Sequence, residues 1–526
     1  MLARRSLLTL ALLVSGVACG NGGQSIHGST SHGTSGSAGT GGGAGTGGGT
    51  ASATGTGGSG GGGVGAHSPF TYGLNLGYYN GQLTDIKESQ LGLAAGADSH
   101  RHKLTEPFLD TWGDAIHVPE LTAMTQAGEQ DIVCFILGAS AAHSSAPSGA
   151  SDDDREHYAP KNLWQPTFTS TGDVNPDNYW AAFVARLVKT YSPYIHTWEV
   201  WNEPDQVGGN WQATQTWGTD PPKPSDLVWW NDTLFAYVRM LRVTHDVVHK
   251  LDPQGKVALG GIGYPTFLDA LLRYTDEPTS GKVDADHPQK GGAYFDVVSY
   301  HYYPVFTPGS SDAGAKGLVH LHDQLQAELD KAGITGKTFI VTESGAPRYA
   351  LGASPGGVSY ASNYLMKAMS LAQDAGVRRL DWFILGDSKP VGASTDSFSY
   401  MGLYLDLTSV TDPAAAQLTE TGTAYATLGH LLKGSLSDPA ATKALGLGGG
   451  TSGVALQTKD GKHAYVVWAE SASGEGGSGM VTLPATGDAT VYAWDYSKTQ
   501  AAQTVAAAGG KVQVVVTSAP VVVIAP

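Results

Sequence analysis

Eight short strand-like runs, most of them apolar, alternate with amphipathic stretches over most of this 526-residue chain. The runs have the length of β-strands, and they lie at residues 72–76, 97–103, 132–137, 196–201, 257–262, 295–301, 338–342 and 380–385. The intervening stretches have the apolar period of helices, for example at residues 179–191, 227–251 and 360–375. Strands that alternate with helices in this way predict an α/β fold, a (β/α)8 barrel with long loops. The alternative is an open doubly wound sheet, but no Gly-rich phosphate-binding pattern follows the first strand.

The pattern changes after residue 434. Short β-branched segments, separated by Gly, Asp and Ser, follow at residues 463–469, 480–483, 490–494, 511–516 and 521–524. Short strands with turn residues between them are typical of an all-β domain. The sequence therefore predicts a barrel over residues 67–434 and a C-terminal β-sandwich over residues 435–526.

Residues 1–19 have the features of an export signal. Two arginines precede an apolar run at residues 7–17, which is too short to span a bilayer as a helix. The sequence Gly-Val-Ala-Cys at residues 16–19 resembles the processing site of bacterial lipoproteins and predicts lipidation of Cys19. Because Gly20 follows this cysteine, we expect a lipoprotein of the outer membrane or cell surface. The alternative is an ordinary secretory signal, which predicts a secreted protein.

Residues 20–66 consist almost entirely of Gly, Ser, Thr and Ala. Such a stretch cannot bury enough apolar surface to offset the entropy lost on ordering, so it predicts a disordered linker. A flexible coil of this length has a root-mean-square reach of roughly 35–40 Å. The linker would therefore let the folded part of the chain reach outward from a membrane anchor.

The charge and the cysteines exclude several kinds of partner. A formal net charge of −16 argues against nucleic acid or an anionic membrane surface, so we expect membrane contact only through Cys19. The other cysteine, Cys134, lies in an apolar run and is predicted to be an inert core thiol. No spacing of His, Cys and carboxylate residues resembles a catalytic metal site, and no cofactor is expected.

Two glutamates follow predicted strands where a barrel has its active site. Glu203 follows the fourth strand in a Trp-Asn-Glu-Pro sequence, and Glu343 ends the seventh strand before Ser-Gly. The C-terminal ends of barrel strands surround one opening, so we expect these carboxylates to lie close together. Cleavage of a glycosidic bond with retention requires one protonated and one ionised carboxyl group, about 5–5.5 Å apart.

The residues around these glutamates resemble clan A of the glycoside hydrolases. The matching features are Asn-Glu-Pro after strand four, an isolated Glu after strand seven, Ala-Ala-Gly leading to an Arg in strand two, His-x-Tyr after strand six and a Trp in strand eight. Within the clan, the Trp-Asn-Glu-Pro and His-x-Tyr patterns are most like family 39. The terminal β-module resembles that of families 39, 30 and 51.

This resemblance implies a retaining glycoside hydrolase that acts on a polysaccharide or oligosaccharide by double displacement. It implies that Glu203 is the general acid/base and that Glu343 is the nucleophile. The resemblance also implies supporting roles at the substrate for Asn202, Arg101, His301, Tyr303 and Trp382. Among these, Arg101 and Tyr303 would support the nucleophile, and Trp382 would stack beneath a sugar ring.

The sequence leaves two other functions open. A degenerate barrel could bind a polysaccharide without cleaving it, although the presence of both glutamates argues against this. A transglycosylase could use the same two residues, which the sequence does not separate from hydrolysis. The polar sequence of residues 98–103 is also unusual for a barrel strand, so the direction in which Arg101 faces stays open.

Overall fold

The computed structural model describes residues 69–79 and 83–526. The predicted export signal, Cys19 and the linker at residues 20–66 lie outside the described residues. Among the residues that are described, no helix is both long enough and apolar enough to cross a membrane.

Eight parallel strands close into a barrel. They are β1 (Thr71–Asn75), β2 (Ser99–Thr105), β3 (Ile132–Leu137), β4 (Ile195–Val200), β5 (Lys256–Leu259), β6 (Val297–His301), β7 (Thr338–Ser344) and β8 (Arg379–Trp382). Each strand pairs with the next along the chain, and β8 closes the barrel by pairing with β1. Every predicted strand overlaps one of these, so the predicted (β/α)8 fold is confirmed. Helices cover parallel strands on the outside, which is why such strands appear in the sequence as apolar runs.

Helices surround the barrel, and shorter helices lie in its loops. They are α1 (Asp85–Ala94), α2 (Glu106–Trp112), α3 (Val118–Gln126), α4 (Asp152–Arg155), α5 (Tyr179–Tyr191), α6 (Trp211–Thr216), α7 (Leu234–Leu251), α8 (Pro265–Arg273), α9 (Ser311–Lys331), α10 (Val358–Asp374) and α11 (Glu420–Leu432). The helix predicted at residues 227–251 begins later, because the Thr233 side chain accepts from the amide of Ala236 and caps α7 there. The loops before α5 and before α7 are long, and both leave the C-terminal end of the barrel.

β2 is polar because both of its faces meet charged or polar partners. Arg101 points into the barrel, where its guanidinium contacts two carboxylates. On the outer face His100 pairs with Glu129, and His102 packs edge-to-face on His117 with ring centroids 4.7 Å apart. Burial lowers the pKa of His102 well below its ordinary value, so this histidine is neutral. The direction of Arg101, which the sequence left open, is thus toward the barrel interior.

Cys134 lies within β3 and is fully buried. Burial raises the pKa of its thiol well above the ordinary value, and the nearby charge of Glu199 acts in the same direction. The thiol is therefore protonated and inaccessible, which confirms the prediction of an inert core cysteine.

The C-terminal region contains two antiparallel sheets and two short helices. Its elements are β9 (Leu436–Ser437), α12 (Pro439–Ala444), β10 (Thr451–Gln457), β11 (His463–Ala469), β12 (Ser478–Pro484), β13 (Ala489–Tyr492), α13 (Tyr496–Thr499), β14 (Ala502–Val505), β15 (Lys511–Thr517) and β16 (Val521–Ala525). One sheet has the order β14-β13-β16-β11-β10-β9, and the other pairs β12 with β15. Alternate residues of β15, namely Val512, Val514 and Val516, share an apolar core with Tyr465 and Val467 of β11. The predicted C-terminal sandwich is confirmed.

The sequence does not predict β9, β10 or β14. β10 follows a run of glycines at residues 448–450 and itself begins Thr-Ser-Gly, which resembles a turn. β14 lies at a sheet edge and most of its residues are exposed, so its sequence lacks the alternation of apolar and polar residues.

Candidate active site

Glu203 lies in a tight turn at the C-terminal end of β4. Trp201 and Glu203 both have left-handed backbone, with φ of 77° and 46°, so the chain turns sharply as it leaves the strand. The amide of Glu203 donates to the carbonyl of Gly260 at 2.6 Å, and the carboxylate of Asp205 accepts from two backbone amides beyond β5. Strained backbone that is held in this way by its surroundings is common at functional sites. These bonds hold the Glu203 carboxyl group, which is 4% exposed, at the end of the barrel.

Glu343 lies near the C-terminal end of β7, and its carboxylate is held from two sides. Nη1 of Arg101 donates to Oε1 at 2.5 Å, and the hydroxyl of Tyr303 donates to Oε2 at 2.7 Å. Burial acts to raise the pKa of Glu343, but the charges of His301 and Arg101 and the two donated hydrogen bonds outweigh it and lower the pKa. Glu343 is therefore ionised at neutral pH, which is the state that a carboxylate nucleophile requires.

The two carboxyl groups lie close to one another. One oxygen of Glu203, one oxygen of Glu343 and a ring nitrogen of His301 are all within 4.8 Å of one another. Retaining glycosidases have carboxyl groups about 5–5.5 Å apart, whereas inverting enzymes leave room for a water molecule at about 6.5–9.5 Å. The close approach of Glu203 and Glu343 is compatible with the shorter of these two spacings.

His301 connects the two carboxylates. Its Nδ1 is 2.7 Å from Oε1 of Glu203 and 3.7 Å from Oε2 of Glu343, and its Nε2 is 3.0 Å from Oγ1 of Thr342. Because the Thr342 hydroxyl donates its proton to Glu199, it accepts from His301 Nε2–H. Burial acts to lower the pKa of His301, but the charge of Glu343 and the hydrogen bond with Glu203 outweigh it and raise the pKa. With its Nε2–H donated to Thr342, His301 can donate from Nδ1 to an ionised Glu203 when protonated, or accept there from a protonated Glu203 when neutral.

The close approach of His301 to the end of β5 requires glycine at position 261. A Cβ atom there would lie 2.1 Å from Nε2 of His301. The backbone of Gly261 also has a φ of 65°, which side chains other than glycine rarely adopt.

A polar network inside the barrel positions Arg101. Its Nε donates to Glu199 at 2.7 Å, and its Nη2 donates to Oδ1 of Asn202 at 2.8 Å. The guanidinium also lies over the ring of Phe135, 3.9 Å from the centroid. Glu199 is fully buried and accepts further hydrogen bonds from hydroxyl groups of β6 and β7. Arg101 therefore links the Glu343 carboxylate and the Asn202 amide to a fixed carboxylate in the barrel floor.

Six of the site residues predicted from the sequence converge at this end of the barrel. They are Arg101, Asn202, Glu203, His301, Tyr303 and Glu343. Arg101 reaches Asn202 and Glu343, and His301 reaches Glu203. Thr342 and Glu199 join these contacts into one group of hydrogen bonds, because Thr342 bonds to His301 and Glu199 bonds to Arg101. The roles assigned to them from the sequence stay predictions.

Sequence reasoning gave less weight to the residues that support this group. Glu199 lies on the same face of the fourth predicted strand as Glu203, and the sequence favours a supporting role for it over a catalytic one. Its partners Ser299 and Thr342 are not singled out by the sequence. Their signal is a polar residue inside a strand that should be apolar, which on β4, β6 and β7 marks an inward-facing position. Asp205 was also missed: burial raises its pKa to about 7, with Glu203 acting in the same direction and backbone amides opposing.

The structure contradicts the assignment of Trp382 as a sugar-stacking residue. Trp382 is fully buried, donates from its indole to the carbonyl of Met401 at 2.8 Å, and packs against Tyr364 of α10. On β8 side chains alternate between the two faces, so Asp381 points into the barrel and Trp382 points outward toward the helices. The next residue, Phe383, is half-buried and packs edge-to-face on Tyr303 with centroids 6.0 Å apart. Phe383 is therefore the aromatic residue beside the candidate site.

Glu203, His301 and Glu343 have donor atoms close enough together to contact one metal ion. However, both oxygens of Glu343 already accept hydrogen bonds, from Arg101 and Tyr303. A guanidinium 2.5 Å from Glu343 supplies the positive charge that this carboxylate needs and repels a second cation. The arrangement therefore suits acid/base and nucleophilic chemistry better than metal binding.

No protein-family model matches the sequence, and a sequence comparison with characterised proteins finds no match. Solved structures do match. A family 39 glycoside hydrolase from the gut symbiont Bacteroides cellulosilyticus WH2 has a TM-score of 0.56 and 16% identity, over 87% of this chain and 81% of that one. A GH30 endoxylanase from Clostridium papyrosolvens C71 has a TM-score of 0.51 and 14% identity, over 87% of this chain and 96% of that one.

A glucosidase from Croceicoccus marinus has a TM-score of 0.53 and 13% identity, over 87% of this chain and 95% of that one. The fold is that of these glycoside hydrolases. The resemblance to clan A is thus confirmed for the fold. At such low identity it carries no residue roles, and these depend on the site geometry of this chain.

Replacing Tyr303 with phenylalanine should change the pH profile more than the stability. The hydroxyl donates to the ionised form of Glu343 and so lowers its pKa; without it the pKa rises. The acidic limb of kcat/KM should therefore move to higher pH, and kcat should fall about 10- to 100-fold. Tyr302→Phe is the matched control, because it removes a hydroxyl one residue away that does not contact Glu343. A sharply lower melting temperature with full activity of the folded enzyme would mean that Tyr303 is a core residue.

Phe383 and Trp382 should respond differently to substitution. Phe383→Ala is expected to raise KM with little loss of stability, because the ring is half-buried beside Tyr303. Trp382→Ala should instead destabilise the fold by about 3–5 kcal/mol, because it leaves a large cavity between β8 and α10. Steady-state kinetics and urea denaturation of both variants would separate these effects. A raised KM in Trp382→Ala together with a loss of stability in Phe383→Ala would instead support Trp382 as the residue that stacks on the sugar.

Proposed function

We propose that the protein is a retaining glycoside hydrolase that cleaves O-glycosidic bonds of a polysaccharide or oligosaccharide. The observation that carries the proposal is the placement of Glu203 and Glu343, with carboxylate oxygens within 4.8 Å of one another. Arg101 and Tyr303 keep one member of this pair ionised, whereas the other lies in a strained turn beside His301. Glycosidases of the retaining class need this division between an anionic and a protonated carboxyl group.

In the first step, Glu203 protonates the oxygen of the leaving group while Glu343 attacks the anomeric carbon. The bond to the leaving oxygen breaks, and Glu343 becomes esterified to the sugar. Esterified Glu343 carries no negative charge. The positive charges of Arg101 and His301 are then no longer balanced by Glu343, and they act on Glu203. Asn202, oriented by Arg101, is positioned to bind a sugar hydroxyl.

In the second step, Glu203 removes a proton from a water molecule that attacks the same carbon from the opposite face. The bond to Glu343 breaks, and Glu343 leaves as a carboxylate stabilised by Arg101 and Tyr303. Two inversions at one carbon restore the starting configuration. The product therefore has the anomeric configuration of the substrate.

The test is a panel of xylan, mannan, β-glucan and bacterial exopolysaccharides, with sizing of the products. For the substrate that is cleaved, NMR during the first minutes would identify the anomer released before mutarotation. Retention supports the proposal, and inversion contradicts it. Binding without turnover of any substrate would favour a polysaccharide-binding protein, and transfer to added sugar acceptors would favour a transglycosylase.

Export and anchoring through Cys19 belong to the same proposal. An enzyme for polymeric carbohydrate needs access to it outside the cell, and the linker at residues 20–66 would supply reach. Cys19→Ser should move the protein from the membrane fraction to the soluble fraction. Wild-type protein found wholly in the medium, with an N-terminus beyond Cys19, would rule out the anchor and leave the hydrolase proposal untouched.

A further inference from the structure

A cavity of about 320 Å³ lies between the loop that follows β3 and the segment that precedes α7. Its walls are Pro147, Ala150, Asp154, His157, Tyr158 and Asn231. Small-molecule sites in proteins begin at about 300 Å³, so there is room for one sugar unit. None of these residues belongs to the group around Glu203 and Glu343.

One wall of this cavity belongs to a segment that is bonded to the turn that holds Glu203. The indole of Trp201 donates to the carbonyl of Trp229 at 2.7 Å, and the amide of Val228 donates to the carbonyl of Gln206 at 2.8 Å. On the other side, the amide of Asn231 donates to the carbonyl of His157 at 2.7 Å. The segment at residues 228–231 therefore contacts the Glu203 turn and also contributes Asn231 to the cavity wall.

A second connection runs from β2. Lys103 lies on the same face of the strand as Arg101, two residues nearer the barrel opening, and its Nζ is 2.8 Å from a carboxylate oxygen of Glu156. Glu156 immediately precedes His157 of the cavity wall. Both connections tie the walls of the cavity to residues at the C-terminal ends of β2 and β4.

The walls supply the contacts that an uncharged sugar needs. The ring of His157 is stacked nearly parallel to that of Trp229, with an interplanar angle of 10°. Burial lowers the pKa of His157, so the neutral ring offers both a donor and an acceptor. Asn231 and Tyr158 add polar groups, and Asp154, whose pKa is lowered by hydrogen bonds from Ser151, adds an ionised acceptor. The fixed negative charge of Asp154 disfavours sugars that carry carboxylates.

We propose that this cavity is a second sugar subsite, which holds an uncharged unit of the substrate away from the bond that is cleaved. The inference rests on the proposed hydrolase function and deepens it, because it makes an oligosaccharide or polysaccharide a better substrate than a single glycoside. Binding energy gained there acts on substrates long enough to span both the cavity and Glu203.

The test compares wild type with His157→Ala and Asn231→Ala on an aryl monoglycoside and on oligosaccharides of increasing length. The sugar is the one that the panel identifies. Wild type should prefer the longer substrates, and each variant should lose about tenfold in kcat/KM on them, through KM. Both variants should change by less than twofold on the monoglycoside, which also shows that they are folded. The matched control is His463→Ala, which removes an exposed histidine from β11 in the C-terminal sandwich.

Two results would separate this proposal from the proposed function. If wild type is active but the cavity variants match it at every substrate length, the subsite is overturned and the hydrolase stands. If no glycoside is turned over, calorimetry of oligosaccharides with wild type and the variants decides the matter. Binding that His157→Ala and Asn231→Ala weaken supports a sugar site without hydrolysis, and equal or absent binding overturns it.

Discussion

Replacing Glu343 with alanine should lower kcat roughly 10⁴- to 10⁶-fold, because in the proposed mechanism Glu343 is the group that attacks the anomeric carbon. Azide should restore part of the turnover on an aryl glycoside with a good leaving group. The small anion can occupy the space that the carboxylate vacates and attack the carbon directly. The product should be a glycosyl azide with a configuration opposite to that of the substrate, which NMR can identify.

Glu203→Ala is the matched variant, since it removes the other carboxylate of the pair. Glu343 can still form the glycosyl-enzyme from a substrate whose leaving group needs no proton. Azide then attacks that intermediate, and two inversions give a glycosyl azide of retained configuration. The configuration of the azide product therefore assigns the nucleophile and the acid/base separately, and a reversed pattern would exchange the two roles.

Glu199→Ala is the control for a carboxylate that supports the site from inside the barrel. The variant should lose activity because Glu199 no longer holds Arg101 in place. Azide should not restore the activity, since Glu199 lies in the barrel floor and is fully buried. Rescue in Glu199→Ala together with retained activity in Glu343→Ala would show that the wrong glutamate had been identified as the nucleophile.

Replacing Asp312 with alanine should strongly lower the free energy of unfolding. Asp312 lies at the start of α9 and accepts from Lys367 of α10 at 2.9 Å, from the indole of Trp468 at 2.7 Å and from the amide of Ser471 at 3.0 Å. These donors come from the barrel and from the C-terminal sandwich, so one carboxylate joins the two. Without it the ammonium group of Lys367, which is fully buried, loses its closest charged partner. Loss of one partner of a buried pair costs about 3–5 kcal/mol, measurable by urea denaturation.

Two further variants test the origin of this effect. Lys316→Ala breaks an ion pair with Glu470, in which the lysine side chain is 54% exposed, and should cost at most about 1 kcal/mol. The double variant Asp312→Leu with Lys367→Met should recover part of the loss, because it removes both charges of the buried pair. The indole of Trp468 and the amide of Ser471 still lose their acceptor in this variant, so recovery should be incomplete. An Asp312→Ala protein as stable as Lys316→Ala would show that the buried network does not hold the sandwich to the barrel.

The barrel could be predicted from the sequence because most of its strands are recognisable as short apolar segments. A parallel strand under a helix is largely apolar, so most of the eight appear as runs of a few apolar residues, with β2 the exception. Glu203 and Glu343 were recognisable for the same reason, since a charge that directly follows such a run lies at a strand end. Most of the C-terminal strands were also predictable from β-branched segments, but β14 was not, because an exposed edge strand has no apolar alternation to detect.

Only the tertiary structure decided which way each side chain points and which residue it pairs with. A shift of one residue in a strand exchanges the two faces, and for this reason the sequence assigned Trp382 to the site where the structure has Phe383. The same uncertainty affected β2, where closure of the barrel turns Arg101 inward and the neighbouring histidines outward. The support of the site by Glu199, Ser299 and Thr342 depends on β4, β6 and β7 meeting at one depth inside the barrel. Local sequence determines which residues are buried, whereas the partner of each buried polar group is set by elements distant in the chain, and only the closed barrel brings these together.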